Sequence, residues 1–215
     1  MAIPPSWLTD PQIERGLRAY TEILATTGAE RGLIGPREVD RLWERHILNC
    51  AVVESAVPRG TQVLDIGAGA GLPGLVWALA RPDLQVICLE PLLRRATFLT
   101  ETVEALNLTD RVRVVRGRAE DLAGDRELVS PVTTARAVAP LDRLVGWAMP
   151  LTTPGGELLA LKGSSAAEEI DSARTAITAA GGGDPQLVEF GSGIVDPPTR
   201  VVRIHRTPTR REPSR

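Results

Sequence analysis

The stretch VLDIGAGAGLPG, from Val63 to Gly74, decides the fold of this chain. An apolar run leads directly into three glycines at alternate positions, Gly67, Gly69 and Gly71, and a helical pattern follows. Glycine lets the backbone turn sharply, and it lets a ligand approach without a Cβ in the way. The stretch therefore predicts a strand, a ligand-binding loop and a helix, in that order.

The sequence that follows repeats the alternation of strand and helix. Residues 61–206 alternate short apolar runs with longer helical patterns, which is typical of βαβ units. A right-handed crossover after each strand gives an α/β, Rossmann-like fold with a doubly wound, mostly parallel sheet. We predict strands at residues 62–66, 85–90, 111–115, 132–137, 157–162 and 199–206, and helices at 75–80, 94–106, 141–149 and 166–180.

Three regions of the chain differ in pattern. Residues 1–58 predict an N-terminal helical extension without a convincing strand. Its first helix is expected to begin with Asp10 as N-cap and Pro11 in the first turn, and to stop at Gly28. A second helical stretch is expected over residues 37–57, interrupted near Cys50. Residues 59–206 form the sheet domain, and residues 207–215 a loose arginine-containing tail.

Composition limits the class of protein. A chain of 215 residues with 43% hydrophobic and 24% charged residues is expected to be an ordinary globular protein with one full core. No apolar run approaches the roughly 20 residues of a membrane span, and the N-terminus lacks a secretory pattern. Cys50 and Cys88 give no metal-ligand spacing and fit a reducing compartment. We therefore expect a cytoplasmic protein without membrane or metal partners.

The glycine loop alone leaves two cofactor classes open. Gly69, Gly71 and Gly74 fit the dinucleotide pattern, and Glu90 follows at the distance of an acid that binds ribose hydroxyls. Asp65 favours the other class, because a carboxylate that faces the ligand would repel a pyrophosphate. It would attract the ammonium and sulfonium of S-adenosylmethionine. We therefore predict S-adenosylmethionine as the cofactor, with a nicotinamide as the alternative.

Two further segments follow predicted strands and have open interpretations. Ala119, Glu120 and Asp121 come after the third strand, where a backbone amide could contact an adenine ring. The same acids could instead begin a helix and complement its dipole. Lys162, the only lysine, ends the fifth strand, where it could bind a phosphate or extend along the surface into solvent.

Arg136 is the strongest candidate for a functional cation. It ends the fourth predicted strand, and the carboxyl ends of central strands face the ligand crevice in this fold. A cation buried there is costly without a purpose. Arginine suits two-point contacts with a phosphate or a base edge, so Arg136 is the predicted catalytic residue.

The motifs taken together resemble the glucose-inhibited division protein B family, the small-subunit ribosomal RNA methyltransferase G enzymes. The resemblance spans residues 10–206, and its segments occur in order with family-like spacing. The matching segments are ERHIL at residues 44–48, LDIGAGAGLPG at 64–74, ARA at 135–137 and ALKG at 160–163.

The resemblance implies a class I S-adenosylmethionine-dependent methyltransferase that modifies N7 of a guanine in 16S ribosomal RNA, in the 530-loop region. The RNA would be presented in the 30S subunit or a precursor. Cofactor contacts are implied for Gly67, Leu72, Ala119, Glu120 and Arg136. RNA contacts are expected at Arg45, His46, Arg136 and Lys162. A methyltransferase for a small molecule or protein, and a nicotinamide-dependent oxidoreductase, are the alternatives.

Overall fold

The computed structural model describes residues 6–208, without the side chains of Ser6 and Leu8. Most of the predicted tail, from residue 209 onward, lies outside the described residues, as do the first five residues of the predicted extension. One seven-stranded sheet has the order β3-β2-β1-β4-β5-β7-β6. The strands are β1 Gln62–Ile66, β2 Gln85–Glu90, β3 Val112–Arg116, β4 Ser130–Arg136, β5 Thr152–Lys162, β6 Gln186–Phe190 and β7 Thr199–His205.

The first five strands are parallel, and β7 runs antiparallel to both of its neighbours. This arrangement confirms the predicted mostly parallel α/β sheet. Strand β6 was not predicted, since it lies at the sheet edge and none of its residues is fully buried, which weakens its apolar signal. Strand β5 begins five residues earlier than expected because Thr152 already pairs with Ser130 before an irregularity in the register.

Helices cover both faces of the sheet. One buried cluster joins the extension and the helices over residues 74–80 and 93–105 to one face, while the helices over residues 141–148 and 166–179 pack on the other. The α-helices are α1 Ser6–Thr9, α2 Pro11–Ile23, α3 Asn49–Ala51, α4 Gly74–Ala80, α5 Leu93–Ala105, α6 Leu141–Ala148 and α7 Ala166–Ala179. Residues Leu24–Gly28 and Trp43–Leu48 are π-helical, and Pro36–Arg41, Glu54–Ala56 and Met149–Leu151 are 3₁₀-helical.

The extension begins as predicted and then departs from the prediction. The Asp10 carboxylate accepts hydrogen bonds from the amides of Gln12, at 2.7 Å, and Ile13, at 3.4 Å, which confirms the N-cap. Helical backbone continues past Gly28, and the turn to a φ of 68° comes at Gly32 instead. The second stretch is four short helical segments rather than one helix with a single interruption.

The extension is fastened to the sheet domain by buried polar contacts as well as by apolar packing. The indole nitrogen of Trp77, on α4, donates to the Cys50 carbonyl at 2.8 Å. The buried Tyr20 hydroxyl donates to the carbonyl of Ala70, in the glycine loop, at 2.6 Å. Residues of the extension therefore support the loop directly, and the two regions share one core.

We expect Tyr20→Phe to lower the free energy of unfolding by about 1–3 kcal/mol, because it leaves the buried Ala70 carbonyl without a donor. Urea unfolding followed by circular dichroism measures the change. Thr178→Val is the control, because it removes an exposed helix hydroxyl and should change stability by less than about 0.5 kcal/mol. Equal stability of Tyr20→Phe and wild type would show that the contact does not support the loop.

Candidate functional site

A cavity of about 610 Å³ lies at the carboxyl ends of β1, β2 and β4. Neighbouring β1 and β4 are where the strand order reverses, which is the usual ligand site of an open α/β sheet. Its volume suits a cofactor-sized ligand. We call it the first cavity; its lining includes Gly67, Gly69, Leu72, Glu90, Ala119, Glu120 and Arg136, together with Leu33, Ile34 and Gly35 of the extension.

The predicted loop glycines divide into two groups. Gly69 has a φ of 60°, and a Cβ there would meet nothing closer than the Gly67 carbonyl oxygen at 3.7 Å. Its outer side is therefore open to a ligand. Gly71 does not line the first cavity, and a Cβ there would lie 2.5 Å from Leu75 Cδ1 and 2.8 Å from the Tyr20 hydroxyl. Glycine is required at position 71 by packing under the loop, which corrects the prediction of a cofactor contact.

Glu90, at the end of β2, lines the first cavity as predicted. Its Oε2 accepts a hydrogen bond from the Gly69 amide at 2.9 Å, and its Oε1 accepts one from the Leu92 amide at 2.9 Å. These bonds fix the carboxylate against the loop. Each carboxylate oxygen has a further lone pair, so the group can still accept hydrogen bonds from ribose hydroxyls.

Asp65 lies beneath the glycine loop rather than facing the first cavity, which corrects the predicted ligand contact. Its side chain is 0% exposed, and its Oδ2 accepts a hydrogen bond from the Gly74 amide at 2.8 Å. Its Oδ1 is buried without a partner. Burial raises the pKa of Asp65 to about 7, and the Gly74 amide and the Arg136 charge only partly oppose this. Asp65 therefore holds the turn from the loop into α4.

Ala119 and Glu120 both line the first cavity. Residues 118–124 contain turns and no helix, so the interpretation of these acids as a helix start is wrong. Their position agrees with the other interpretation, in which the chain after β3 lies beside an adenine ring.

Arg136, the last residue of β4, contacts His46 of the extension, which in turn contacts Glu38. Its Nη2 lies 2.9 Å from Nδ1 of His46. The other ring nitrogen, Nε2, lies 3.1 Å from Oε2 of Glu38. The next residue, Ala137, has a φ of 55°, which is strained for a residue with a Cβ. Such strain is concentrated at functional sites.

A second cavity of about 920 Å³ adjoins the first. The two cavities share a wall formed by five residues, Glu38, His46, Arg136, Ala137 and Val138. The rest of the second cavity combines apolar surface with polar and charged side chains, among them Arg45, Asn49, Lys162, Ser164, Glu169, Asp196 and Arg200. Arg136 thus lies between a cofactor-sized cavity and a larger one.

Lys162 lies in the second cavity with its charge already paired. Its side chain is 8% exposed, and its ammonium donates to Oε2 of Glu169 at 2.7 Å and to the Ala139 carbonyl at 2.8 Å. Burial raises the pKa of Glu169, but Lys162 outweighs it and holds the pKa below its usual value. The same Glu169 oxygen accepts the Leu141 amide at 3.0 Å. Lys162 therefore braces the segment after β4, and its role as a phosphate ligand stays a prediction.

Arg45, in contrast, presents its charge to solvent at the second cavity. Its side chain is 57% exposed, and its ion pair with Glu38 is long, at 3.6 Å. Arg200 also lines this cavity and pairs with Glu189 at 3.0 Å near the surface. Both guanidiniums line the second cavity near solvent, and the RNA contact of Arg45 stays a prediction.

Several residues of the site have no sequence signal that predicts them. Glu38 and residues 33–35 come from 3₁₀-helical and turn segments, which have no 3.6-residue periodicity to place them. Arg200 belongs to a strand that was predicted, but the antiparallel position of that strand beside β5 was not. A cluster able to hold a metal is absent from residues 6–208, and no helix in that range could cross a bilayer.

The two cysteines are unsuited to covalent catalysis. Cys50 and Cys88 are buried, and neither lines a described cavity. Burial raises the pKa of Cys50 to about 11 and that of Cys88 well above its ordinary value. A buried neutral thiol is a poor nucleophile.

Comparison with known proteins identifies the family of the chain. The family model described as rRNA small subunit methyltransferase G, GidB, matches residues 13–195. The chain belongs to this family. It is 53% identical to a ribosomal RNA small subunit methyltransferase G of Salinispora tropica, over 92% of this chain and 85% of the relative. It is 57% identical to the protein of that name from Streptomyces avermitilis, over 86% of this chain and 77% of the relative.

A solved structure supports the fold. The SAM-dependent O-methyltransferase of Thermotoga maritima matches 81% of this chain and 72% of its own, with a TM-score of 0.59 and 13% identity. The GidB-family chain is therefore a methyltransferase with the class I fold, and S-adenosylmethionine is its cofactor. The nicotinamide-dependent oxidoreductase was the wrong alternative.

We expect Gly69→Val to abolish binding of S-adenosylhomocysteine, because the branched side chain would project into the first cavity. Isothermal titration calorimetry measures the binding. Gly124→Val is the matched control, since Gly124 also has a positive φ, 98°, and open space around its Cβ position, but lies outside the first cavity. Binding by Gly69→Val as tight as by Gly124→Val would exclude this loop as the cofactor site.

A second prediction uses the raised pKa of Asp65. The folded chain retains this proton up to about pH 7, whereas the unfolded chain releases it near pH 4. The free energy of unfolding should therefore decrease as pH rises between these values, by up to about 4 kcal/mol from this group. Asp65→Asn cannot ionise and should lose this decrease, so that it gains stability relative to wild type above pH 7.

Urea unfolding at about pH 5 and pH 8, without cofactor, tests the Asp65 prediction. Asp83→Asn is the control. Hydrogen bonding to Arg81 lowers the pKa of Asp83, so the titration of Asp83 changes stability only at pH values below about 4, outside the range that is measured. A parallel pH dependence of Asp65→Asn and wild type would contradict a buried carboxyl that ionises near neutrality.

Proposed function

We propose that the chain transfers a methyl group from S-adenosylmethionine to N7 of a guanine in 16S ribosomal RNA, in the 530-loop region. One observation carries the proposal beyond family membership. Two cavities meet at Arg136, a smaller one at the outer side of the glycine loop and a larger one lined by arginines. This is the arrangement needed by a small donor and a large anionic acceptor.

The residues of the first cavity fit S-adenosylmethionine. The open side of Gly69 admits the cofactor without steric conflict, and Glu90 can accept hydrogen bonds from its ribose. Ala119 and Glu120 would contact the adenine ring, and Leu72 adds apolar surface to the first cavity. When bound, S-adenosylmethionine supplies a methyl group on an electrophilic sulfonium.

The chemistry of guanine N7 explains why the site needs no dedicated base. N7 has an unprotonated lone pair, so methylation removes no proton. The protein has to orient the base towards the donor and exclude water. Arg136 suits the first task because a guanidinium can donate two hydrogen bonds to a planar acceptor such as the guanine edge or a phosphate.

Arg45 and Arg200 would bind RNA phosphates at the second cavity. The net charge of the chain is −2, so attraction to RNA must come from a local group of cations rather than from the whole molecule. An intact 30S subunit or a precursor is the proposed form of the substrate, and the cytoplasm the proposed location. In this proposal residues 1–58 and 59–206 act together, since both line the cavities.

The direct test of the function is to map N7-methylguanosine in 16S RNA from cells with and without the protein. Loss of one modified guanine in the 530 region, and its restoration on 30S subunits by purified protein and tritiated cofactor, is the expected result. Methyl transfer to a metabolite or protein pool, with unchanged 16S RNA, would favour the alternative substrates instead.

We expect Arg136→Ala to lower the single-turnover rate on 30S subunits by about 10²-fold or more, because displacing a target by about 1 Å can cost that much. Arg136→Lys should recover little, since an ammonium cannot reproduce a planar two-point contact. Arg174→Ala, at an exposed arginine outside both cavities, is the control. Full activity of Arg136→Ala would overturn the assignment of this residue.

A further inference from the structure

Three side chains from separate elements form a continuous line of hydrogen bonds in the wall between the cavities. Glu38 lies in the 3₁₀ helix Pro36–Arg41, His46 in the π-helical Trp43–Leu48, and Arg136 at the end of β4. The two contacts measure 3.1 Å and 2.9 Å. The proposed chemistry uses Arg136 but gives no role to the other two residues.

The donors and acceptors in this line allow one protonation state of the imidazole. A guanidinium has only donors, so Nδ1 of His46 must accept the hydrogen bond from Arg136. The ring proton is then on Nε2, which donates to the Glu38 carboxylate. His46 is therefore neutral, with its proton on Nε2.

Arg136 depends on this contact for its orientation. Within residues 6–208, no carboxylate forms an ion pair with Arg136, and its side chain has one hydrogen bond, to His46. An arginine side chain loses about 2 kcal/mol of rotamer entropy when it is fixed. Without a partner, the guanidinium would be free to leave the geometry that methyl transfer requires.

We propose that His46 is a positioning residue of the methyltransferase. Its neutral ring holds the Arg136 guanidinium in the wall between the cavities, and Glu38 fixes the ring. The inference rests on the proposed function, because it assumes that Arg136 orients the acceptor base. It also gives the extension a defined task, since it supplies both supporting residues.

The charges around His46 make its hydrogen bond with Arg136 sensitive to acid. Burial lowers the pKa of His46, the adjacent Arg136 charge lowers it further, Glu38 raises it, and Arg45 lowers it least. Below that pKa, a proton on Nδ1 removes the acceptor and places two cations side by side. Arg136 then loses its hydrogen bond to His46. The rate of methyl transfer should therefore decrease on the acid side with a midpoint below pH 6.5.

Nuclear magnetic resonance of the histidine ring nitrogens tests the arrangement without RNA or cofactor. The chain has two histidines, so in the His205→Gln variant the only histidine ring signals are those of His46. We expect an unprotonated Nδ1, a protonated Nε2 and a pKa below 6.5. Arg136→Met should raise that pKa and Glu38→Gln should lower it, while the control Arg45→Met should change it least. A proton on Nδ1, or a pKa unaffected by Arg136→Met, would overturn the proposal.

Kinetic measurements test whether the hydrogen bond between His46 and Arg136 matters for the reaction. We expect His46→Leu to lower the single-turnover rate on 30S subunits by about 10-fold or more, as a misplaced guanidinium should. His46→Gln should recover most of the rate, because its amide can accept from Arg136 and donate to Glu38, and it should lack the acid-side decrease. The nearly isosteric Glu38→Gln provides a second variant should His46→Leu fail to fold.

The outcomes separate the two proposals. Wild-type rates in His46→Leu, or an unchanged acid-side decrease in His46→Gln, would overturn the positioning role while RNA methylation stands. Absence of methyl transfer to 16S RNA by the wild type would refute the proposed function, and the ring-nitrogen spectra would still report on the hydrogen bonds.

Discussion

The hydrogen bond from the Gly74 amide to the buried Asp65 carboxyl is the constraint on which the site depends. It joins the end of β1 to the start of α4 and so fixes where the intervening glycine loop turns. Tyr20 holds the loop at Ala70 and Glu90 holds it at the Gly69 amide. The Asp65 and Tyr20 contacts lie at the buried side of the loop and Glu90 holds it from the first cavity, so the outer side of Gly69 stays open to a cofactor.

The extension and the sheet domain meet at the wall between the two cavities, and neither region forms the site alone. The sheet contributes Arg136 at the end of a central strand, and the extension contributes the imidazole that contacts it. On the opposite side, the partly buried Lys162–Glu169 pair holds the carbonyl of Ala139 and the amide of Leu141. The segment that contains the strained residue after Arg136 is thus braced by long-range contacts.

Sequence patterns were sufficient for the features that depend on local periodicity. Strands β1 and β2 were predicted with their observed ends, because parallel central strands are continuous apolar runs bounded by turns. The argument from Asp65 predicted the right cofactor, but it assumed that the carboxyl faces the ligand. No local sequence signal distinguishes such a carboxyl from one that accepts a hydrogen bond from the start of a helix. The ion pair of Lys162 was not predicted for a similar reason, because its partner Glu169 comes from another element. Glu38 could not be found, because irregular helical turns bring it to His46.

The most direct test of this account is a crystal structure of the chain with S-adenosylhomocysteine and guanosine monophosphate. We expect the adenosine against the outer side of the glycine loop with its ribose at Glu90. We expect the sulfur beside Arg136 and Ala137, where the two cavities meet, with guanine N7 facing it from the second cavity. A sulfur directed away from Arg136, or a guanine bound outside the second cavity, would contradict the central claim that the methyl group passes between these two cavities.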